Sequence, residues 1–209
     1  TNSMRRSINE AVREGLKANE SLSNQDTRLQ TLEPLNLSRA EAAEAASYKS
    51  GDIVIPLQSL KTVGLEKNRR YVVTDIDRAS NSLLVQHDEN PSPIRVPLSP
   101  KGKPARSLVA YESVAKDFST GDEVRLRITD KALGIANGER GNVAEISDTL
   151  IRVEKPDGAT VDLPRESLAA KGLDHAYALT THGFQGSTVD RIIVAMKSAE
   201  QLATQKSFY

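Results

Sequence analysis

Residues 174–196 read DHAYALTTHGFQGSTVDRIIVAM, and the fold turns on how this stretch is understood. A polar, glycine-hinged turn holding Thr180, Thr181, His182, Gly183, Gln185, Gly186, Ser187 and Thr188 lies between two apolar runs. The first run, Ala176 to Leu179, is a short strand or a helical turn, and the second, Arg191 to Met196, reads as a buried strand. Such a polar cluster adds nothing to a packed core. Set between core elements, it supplies backbone N–H groups, hydroxyls and an amide suited to phosphate oxygens or a nucleic-acid backbone. The same composition also suits a Ser/Thr/Gly turn that caps a strand.

Outward from this stretch, composition narrows the classes. The chain has 209 residues, 27% of them charged, with a formal net charge of zero, so no global electrostatic funnel for nucleic acid exists. Cysteine is absent, and the three histidines, His87, His175 and His182, lack metal-ligand spacing. A thiolate site, a disulfide framework and a zinc ribbon are therefore excluded, and no metal is expected. Aromatic residues make up 4% without a tryptophan, which leaves few platforms for base stacking. No apolar run reaches membrane-spanning length and no secretory signal is read, so no membrane insertion and a cytoplasmic location are expected.

Upstream, residues 1–22 predict a helix, with Ile8, Val12 and Leu16 at four-residue spacing after Met4. On this reading Arg5, Arg6 and Arg13 lie on its solvated face beside Glu10 and Glu14. Residues 23–37 look extended, and Pro34 confines any strand there to a sheet edge. Ser38 then caps a short helix with Glu41 three residues on, a capping box.

The next two segments repeat one another. GDIVIPLQSL starts at Gly51 and GDEVRLRITD at Gly121, and Gly64 precedes Gly134 by the same seventy residues. Each unit continues through NSLLVQ or DTLIRVE, a Pro-containing turn, and IRVPLS or TVDLP, with Val96 matching Val161 and Leu98 matching Leu163. Short alternating strands between Gly, Pro, Asn and Asp predict two small β-barrels of the SH3-like sort. Neither carries an acid–base pair or a nucleophile. Between them, Lys101, Lys103 and Arg106 form a basic tract, either a solvated linker or a loop contacting a partner. Residues 107–118 read as an amphipathic helix or an extended connector, and LPRESLAAKGLD closes the second unit as a short helix ending at Gly172. The last residues, EQLATQKSFY, are helix-forming without a closing cap, so a fragment of a larger protein is expected.

YALTTHGFQGSTVDRIIV resembles motif V of superfamily 1 helicases of the RecD-like class, whose usual form is near YAxTxHKxQG followed by Ser or Thr. Here Gly183 replaces the Lys, and the HGFQG variant resembles the helicase half of conjugative relaxases of the TraI/TrwC type. NSMRRSINEAVREGLK is similar to the region of motif IV, and KSFY to the approach to motif VI. The resemblance implies an α/β fold with β insertions. Residues 1–37 and 172–209 would form parts of one RecA-like 2A domain, 38–118 a 2B-like module and 119–171 a 2B module.

It further implies single-stranded DNA contact through Thr180, Thr181, His182, Gln185 and Thr188, with Arg5, Arg6 and Gly186 toward the nucleotide cleft. Lys101, Lys103 and Arg106 would serve a type IV secretion coupling protein, in a region read as an internal translocation signal. ATP and Mg are expected for the parent helicase. The stretch itself holds no GxxxxGK[ST] loop, no Walker B pair and no nicking tyrosine arrangement, so no catalysis is expected from it alone. A RecD-like helicase outside conjugation and a vestigial helicase-fold scaffold are the alternatives.

Overall fold

The computed structural model describes residues 2–87, 89–179 and 193. Helix α1 (Asn2–Ala18) leads into strand β1 (Thr27–Pro34), helix α2 (Arg39–Ala42) and a 3-10 turn (Ala45–Ser47). Four strands follow: β2 (Ile53–Pro56), β3 (Tyr71–Asp77), β4 (Ser82–His87) and β5 (Asn90–Pro97). Helix α3 (Lys103–Ser107) then runs into the long strand β6 (Leu108–Phe118). The pattern recurs as β7 (Glu123–Leu126), β8 (Arg140–Ile146), β9 (Leu150–Glu154), β10 (Thr160–Pro164), α4 (Leu168–Lys171) and β11 (Leu173–His175).

Two antiparallel sheets result, in the orders β1-β6-β2-β3-β4-β5 and β10-β9-β8-β7-β11. Removing β1 leaves the same order in both, so the sequence repeat is a repeat of topology. Its details coincide as well. The Gly51 and Gly121 amides donate to the Val73 and Val143 carbonyls at 2.8 and 2.7 Å, and both glycines hold φ above +90°. That left-handed conformation is open to glycine at little steric cost, which accounts for the shared Gly-Asp opening. Bulges interrupt the registers between Val73 and Asp75 and between Val143 and Glu145. Short bridges join Leu60 to Leu65 and Asp130 to Ile135.

Each module has its own core. Val54, Val73, Leu83, Val85 and Val96 are fully buried in the first, and Val124, Leu126, Ile151, Val153 and Leu163 in the second. A smaller cluster joins them: Leu32, Ile53 and Ile55 of the first sheet pack with Ile128 and Leu168. Among the described residues every strand pairing is antiparallel, and the edges of neither sheet pair with each other. The architecture is therefore mixed α/β, with two antiparallel sheets and a few short helices.

Several expectations change in detail. Segment 107–118 takes the extended alternative and becomes the longest strand, because it pairs on both sides, with β1 and with β2. Pro34 does end an edge strand. The capping box is present, the Glu41 amide donating to Ser38 Oγ and the Ser38 amide to Glu41 Oε2, but α2 is a single turn. Helix α1 is turned about its axis relative to its expected burial. Arg5 and Asn9 are buried, whereas Val12 is 39% exposed and Met4, Ile8 and Leu16 are half-buried.

Candidate functional site

The buried Arg5 side of α1 marks the most heavily charged part of the interior. Asp174, in the short strand β11, is buried and accepts from Arg5 at 2.7 Å, Lys116 at 2.6 Å and Arg127 at 3.0 Å. Burial opposes the charged form of Asp174, but the charges of Lys116 and Arg5 outweigh it and hold the carboxyl below its ordinary range. Glu33 of β1 is also buried and pairs with Lys116 and, at 2.7 Å, with Arg6, which reaches Glu112 at 3.0 Å. Lys116 thus bridges two buried carboxylates from near the C-terminal end of β6.

About two turns further along α1, Arg13 grips Asp122 through Nε at 2.9 and 3.1 Å. The Asp122 side chain is fully buried in the Gly-Asp turn that opens the second module. It also accepts from the Ser119 amide at 2.6 Å and from the Tyr177 hydroxyl at 2.8 Å. Asp26 completes the cluster with Lys17 at 2.6 Å and Ser119 Oγ at 2.6 Å. His175 lies within it, 4.6 Å from Phe118 between ring centres, and burial lowers its pKa. Its Nε2 is buried without a hydrogen-bond partner. Asn9 caps the arrangement by donating to the Ala178 carbonyl at 3.3 Å and accepting from the Ala178 amide at 2.7 Å.

These contacts fix the N-terminal helix to residues 174–178, across a sequence distance that contains both β modules. The helix and β6 enclose a cleft of about 500 Å³, lined by Arg5, Arg13, Lys17, Lys116, Asp26 and Asp174 among others. Arg5, Arg13, Lys17 and Lys116 are paired there with Asp174, Asp122, Asp26 and Glu33. A second cleft of about 370 Å³ between the modules is lined by Arg28, Arg70, Arg165 and Lys171, with Glu166. Arg28 is paired with Asp117 there, and Lys171 with Glu166.

Of the residues singled out in the sequence, Thr180, Thr181, His182, Gln185, Gly186 and Thr188 lie outside the described residues. Arg5 and Arg6 stand side by side on α1, and their partners are Glu33, Glu112 and Asp174 in place of Glu10 and Glu14. Lys101, Lys103 and Arg106 gather on and just before α3, all exposed, without an acidic partner among the described residues. The sequence reading missed Asp174, Glu33 and Lys116 altogether. Asp122 was visible only as half of a repeated Gly-Asp pair. No group of residues among those described has the make-up of a metal site, and no helix among them is long and apolar enough to cross a membrane.

No protein-family model matches the chain. Among curated proteins, it is 40% identical over 81 residues to the probable conjugal transfer protein TraA of Sinorhizobium fredii, covering 37% of this chain and 7% of that protein. It is 25% identical over 167 residues to the conjugal transfer protein TraA of Agrobacterium fabrum, covering 77% of this chain and 15% of that one. The chain thus matches only a small part of the length of these relatives. Among solved structures, it is similar to a chain from a study of DNA unwinding at forked duplex DNA by two coordinating Pif1 helicases. That similarity has 28% identity over 37% of this chain and 21% of that one, with a TM-score of 0.33. The chain therefore has distant similarity to conjugal transfer proteins.

Proposed function

We propose that the chain is a DNA-processing segment of a conjugative relaxase–helicase, in which residues 1–37 and 172–209 belong to one RecA-like domain. The observation that carries this reading is the locking of α1 to residues 174–178 by Arg5 on Asp174 and Asn9 on Ala178. Two segments far apart in sequence meet, each also adding an edge strand, β1 or β11, to one of the two sheets, and in this reading the modules at 38–118 and 119–171 are insertions between them. The similarity to conjugal transfer proteins supports the same reading. In it, each inserted module is an SH3-like unit.

The chemistry assigned to the chain is non-covalent. Thr180, Thr181, His182, Gln185 and Thr188 contact the phosphates of single-stranded DNA without reading bases. Gly186, Arg5 and Arg6 are assigned to the nucleotide side of the cleft in this reading. ATP and Mg belong to the parent's complete cleft, because a phosphate-loop lysine and an acidic metal ligand must come from elsewhere. The basic tract Lys101, Lys103 and Arg106 faces a partner, read as a type IV secretion coupling protein.

The test uses the full-length parent, with single-stranded oligonucleotides of unrelated sequence as ligands. Substituting His182→Ala together with Gln185→Ala should weaken binding similarly for all of them. A loss confined to one sequence, or unchanged affinity and unwinding, would remove the stretch from the DNA path.

A further inference from the structure

The duplication supplies an internal control for what each module face is for. In the second module, α4 and the end of β7 form a contact face. Leu168 and Ile128 on that face pack against Leu32, Ile53 and Ile55 of the first sheet. The first module has the equivalent face, set by the equivalent backbone bond. The Leu57 amide donates to the Ser107 carbonyl at 2.8 Å, as the Arg127 amide does to the Gly172 carbonyl at 3.0 Å. The aligned positions are different in character. Gln58 stands where the second module has Ile128, seventy residues on, and Lys103 where it has Leu168, sixty-five residues on.

On this first-module face Gln58 and Lys103 are exposed, with α2 packed beside α3. Leu57 is 56% exposed beside it, an isolated large apolar side chain on a surface that has few. Gln58, Lys101, Lys103 and Arg106 are exposed around it, and Gln58 is held in place by a 2.6 Å bond to Ser107 Oγ. Pro104 and the buried Ala105 anchor α3 to its module, so the cations project from a fixed turn.

We propose that this face, Leu57 with Lys101, Lys103 and Arg106, docks an acidic protein segment carrying an aliphatic side chain. The inference rests on the reading of the β modules as surface-presenting units, and it names the partner's chemistry. In the second module the same face is a protein–protein contact within the chain, so the scaffold is already suited to receiving a side chain there. Replacing its apolar positions by lysine and glutamine changes the acceptable partner from a hydrophobic sheet to a carboxylate-bearing one. Nucleic acid is the weaker fit. Three cations neutralise at most about three phosphates, which gives modest, strongly salt-sensitive binding. The face also offers no aromatic ring for base stacking.

The full 209-residue chain can be titrated with two fluorescent probes of equal net charge. One is a short peptide of Asp and Glu with interspersed Leu, and the other is a single-stranded oligonucleotide. Tighter binding of the peptide is expected. Lys103→Glu with Arg106→Glu should weaken it at least about tenfold, as should Leu57→Asp, while Lys131→Glu in the second module leaves it unchanged. Thermal melting monitors folding, and Lys103→Gln with Arg106→Gln replaces any charge-reversed variant that fails to fold. Preference for the oligonucleotide, equal sensitivity to Lys131→Glu, or no binding of either probe would overturn the proposal. The outcome is separable from the DNA reading, whose own test concerns His182 and Gln185.

Discussion

The Arg5 guanidinium donates to the Asp174 carboxylate at 2.7 Å, and both side chains are 7% exposed although 169 residues separate them in the chain. Asp174 has further cationic partners in Lys116 and Arg127, whereas Arg5 has Glu33 only at 3.9 Å. The two halves of the pair therefore carry unequal loads. Removing Asp174 leaves Arg5, Arg127 and Lys116 converging without their shared anion. Asp174→Ala should cost about 3–5 kcal/mol, the range for an uncompensated buried charge. Arg5→Ala should cost less, about 2 kcal/mol, because Lys116 and Arg127 still neutralise the carboxylate. Urea denaturation of the two variants checks the order. Equal costs would mean that Lys116 and Arg127 contribute little to holding Asp174.

His175 gives the fold a pH dependence of definite sign. Burial lowers its folded pKa below the ordinary 6.5, against the opposing pull of Asp122 and Asp174 and with the repulsion of Arg13 and Lys116. Below pH 6.5 the unfolded chain takes up a proton that the folded chain resists, so unfolding is favoured as the pH falls. The stability contributed by neutral His175 is present above pH 6.5 and is lost toward the depressed folded value. Melting temperature should drop between pH 7.5 and about pH 5.5, and His175→Gln should flatten that slope. An unchanged slope in the variant would assign the titration elsewhere.

Glycines at non-equivalent places should respond oppositely to alanine. A Cβ at Gly141 would lie 2.4 Å from the Glu154 carbonyl oxygen and 2.6 Å from Val153 Cγ1, so the β8–β9 pairing must shift. Gly141→Ala should destabilise by about 2–4 kcal/mol through overpacking against backbone. At Gly15 in α1 nothing lies within 4 Å of an added Cβ, and Gly15→Ala should stabilise by about 0.5–1 kcal/mol. Chemical denaturation midpoints of the two variants, read against the parent chain, test both signs. Tyr71, seventy residues earlier, is buried at the position equivalent to Gly141, so the repeat allows a large side chain in one module and none in the other.

This asymmetry explains what could be read from the sequence. The repeat was legible because its signals are local: a Gly-Asp turn, alternating strands and a glycine at constant spacing. The capping box at Ser38 and the edge strand ending at Pro34 are local too. The orientation of α1 was not legible. Spacing of Ile8, Val12 and Leu16 points to an apolar face turned inward, yet Arg5 and Asn9 face the interior because carboxylates await them at Asp174 and a backbone amide at Ala178. Those partners come from the far end of the chain, and no window of sequence contains both. The segment LVAYESVAKDF was ambiguous for a related reason. Only pairing with β1 and β2 on its two sides decides that it is a strand. The polar stretch after Leu179 remains what the sequence makes it, since it lies outside the described residues.

The two Gly-Asp turns finally offer a paired experiment, because Asp52 and Asp122 occupy the same place in each module with different duties. Asp52 accepts from the Lys49 amide at 2.8 Å, and burial raises its pKa above the ordinary carboxylate value. Its folded form therefore binds a proton more readily than its unfolded form, and its charge disfavours folding as the pH rises past that value. Asp52→Asn keeps an oxygen for the Lys49 amide and removes the buried charge, so it should be neutral or stabilising by up to about 0.5 kcal/mol at pH 7. Asp122 accepts the equivalent bond from Ser119, but it also holds Arg13 and the Tyr177 hydroxyl. Asp122→Asn leaves Arg13 with Asp26 as its one carboxylate partner beside Ser119 Oγ and should cost about 2 kcal/mol, since bonds to charged groups are the stronger ones. It should also loosen α1, read as faster amide exchange across residues 5–13. Denaturation curves of the two asparagine variants at pH 7 give the comparison. Equal effects would show that the second turn has no duty beyond closing its own module.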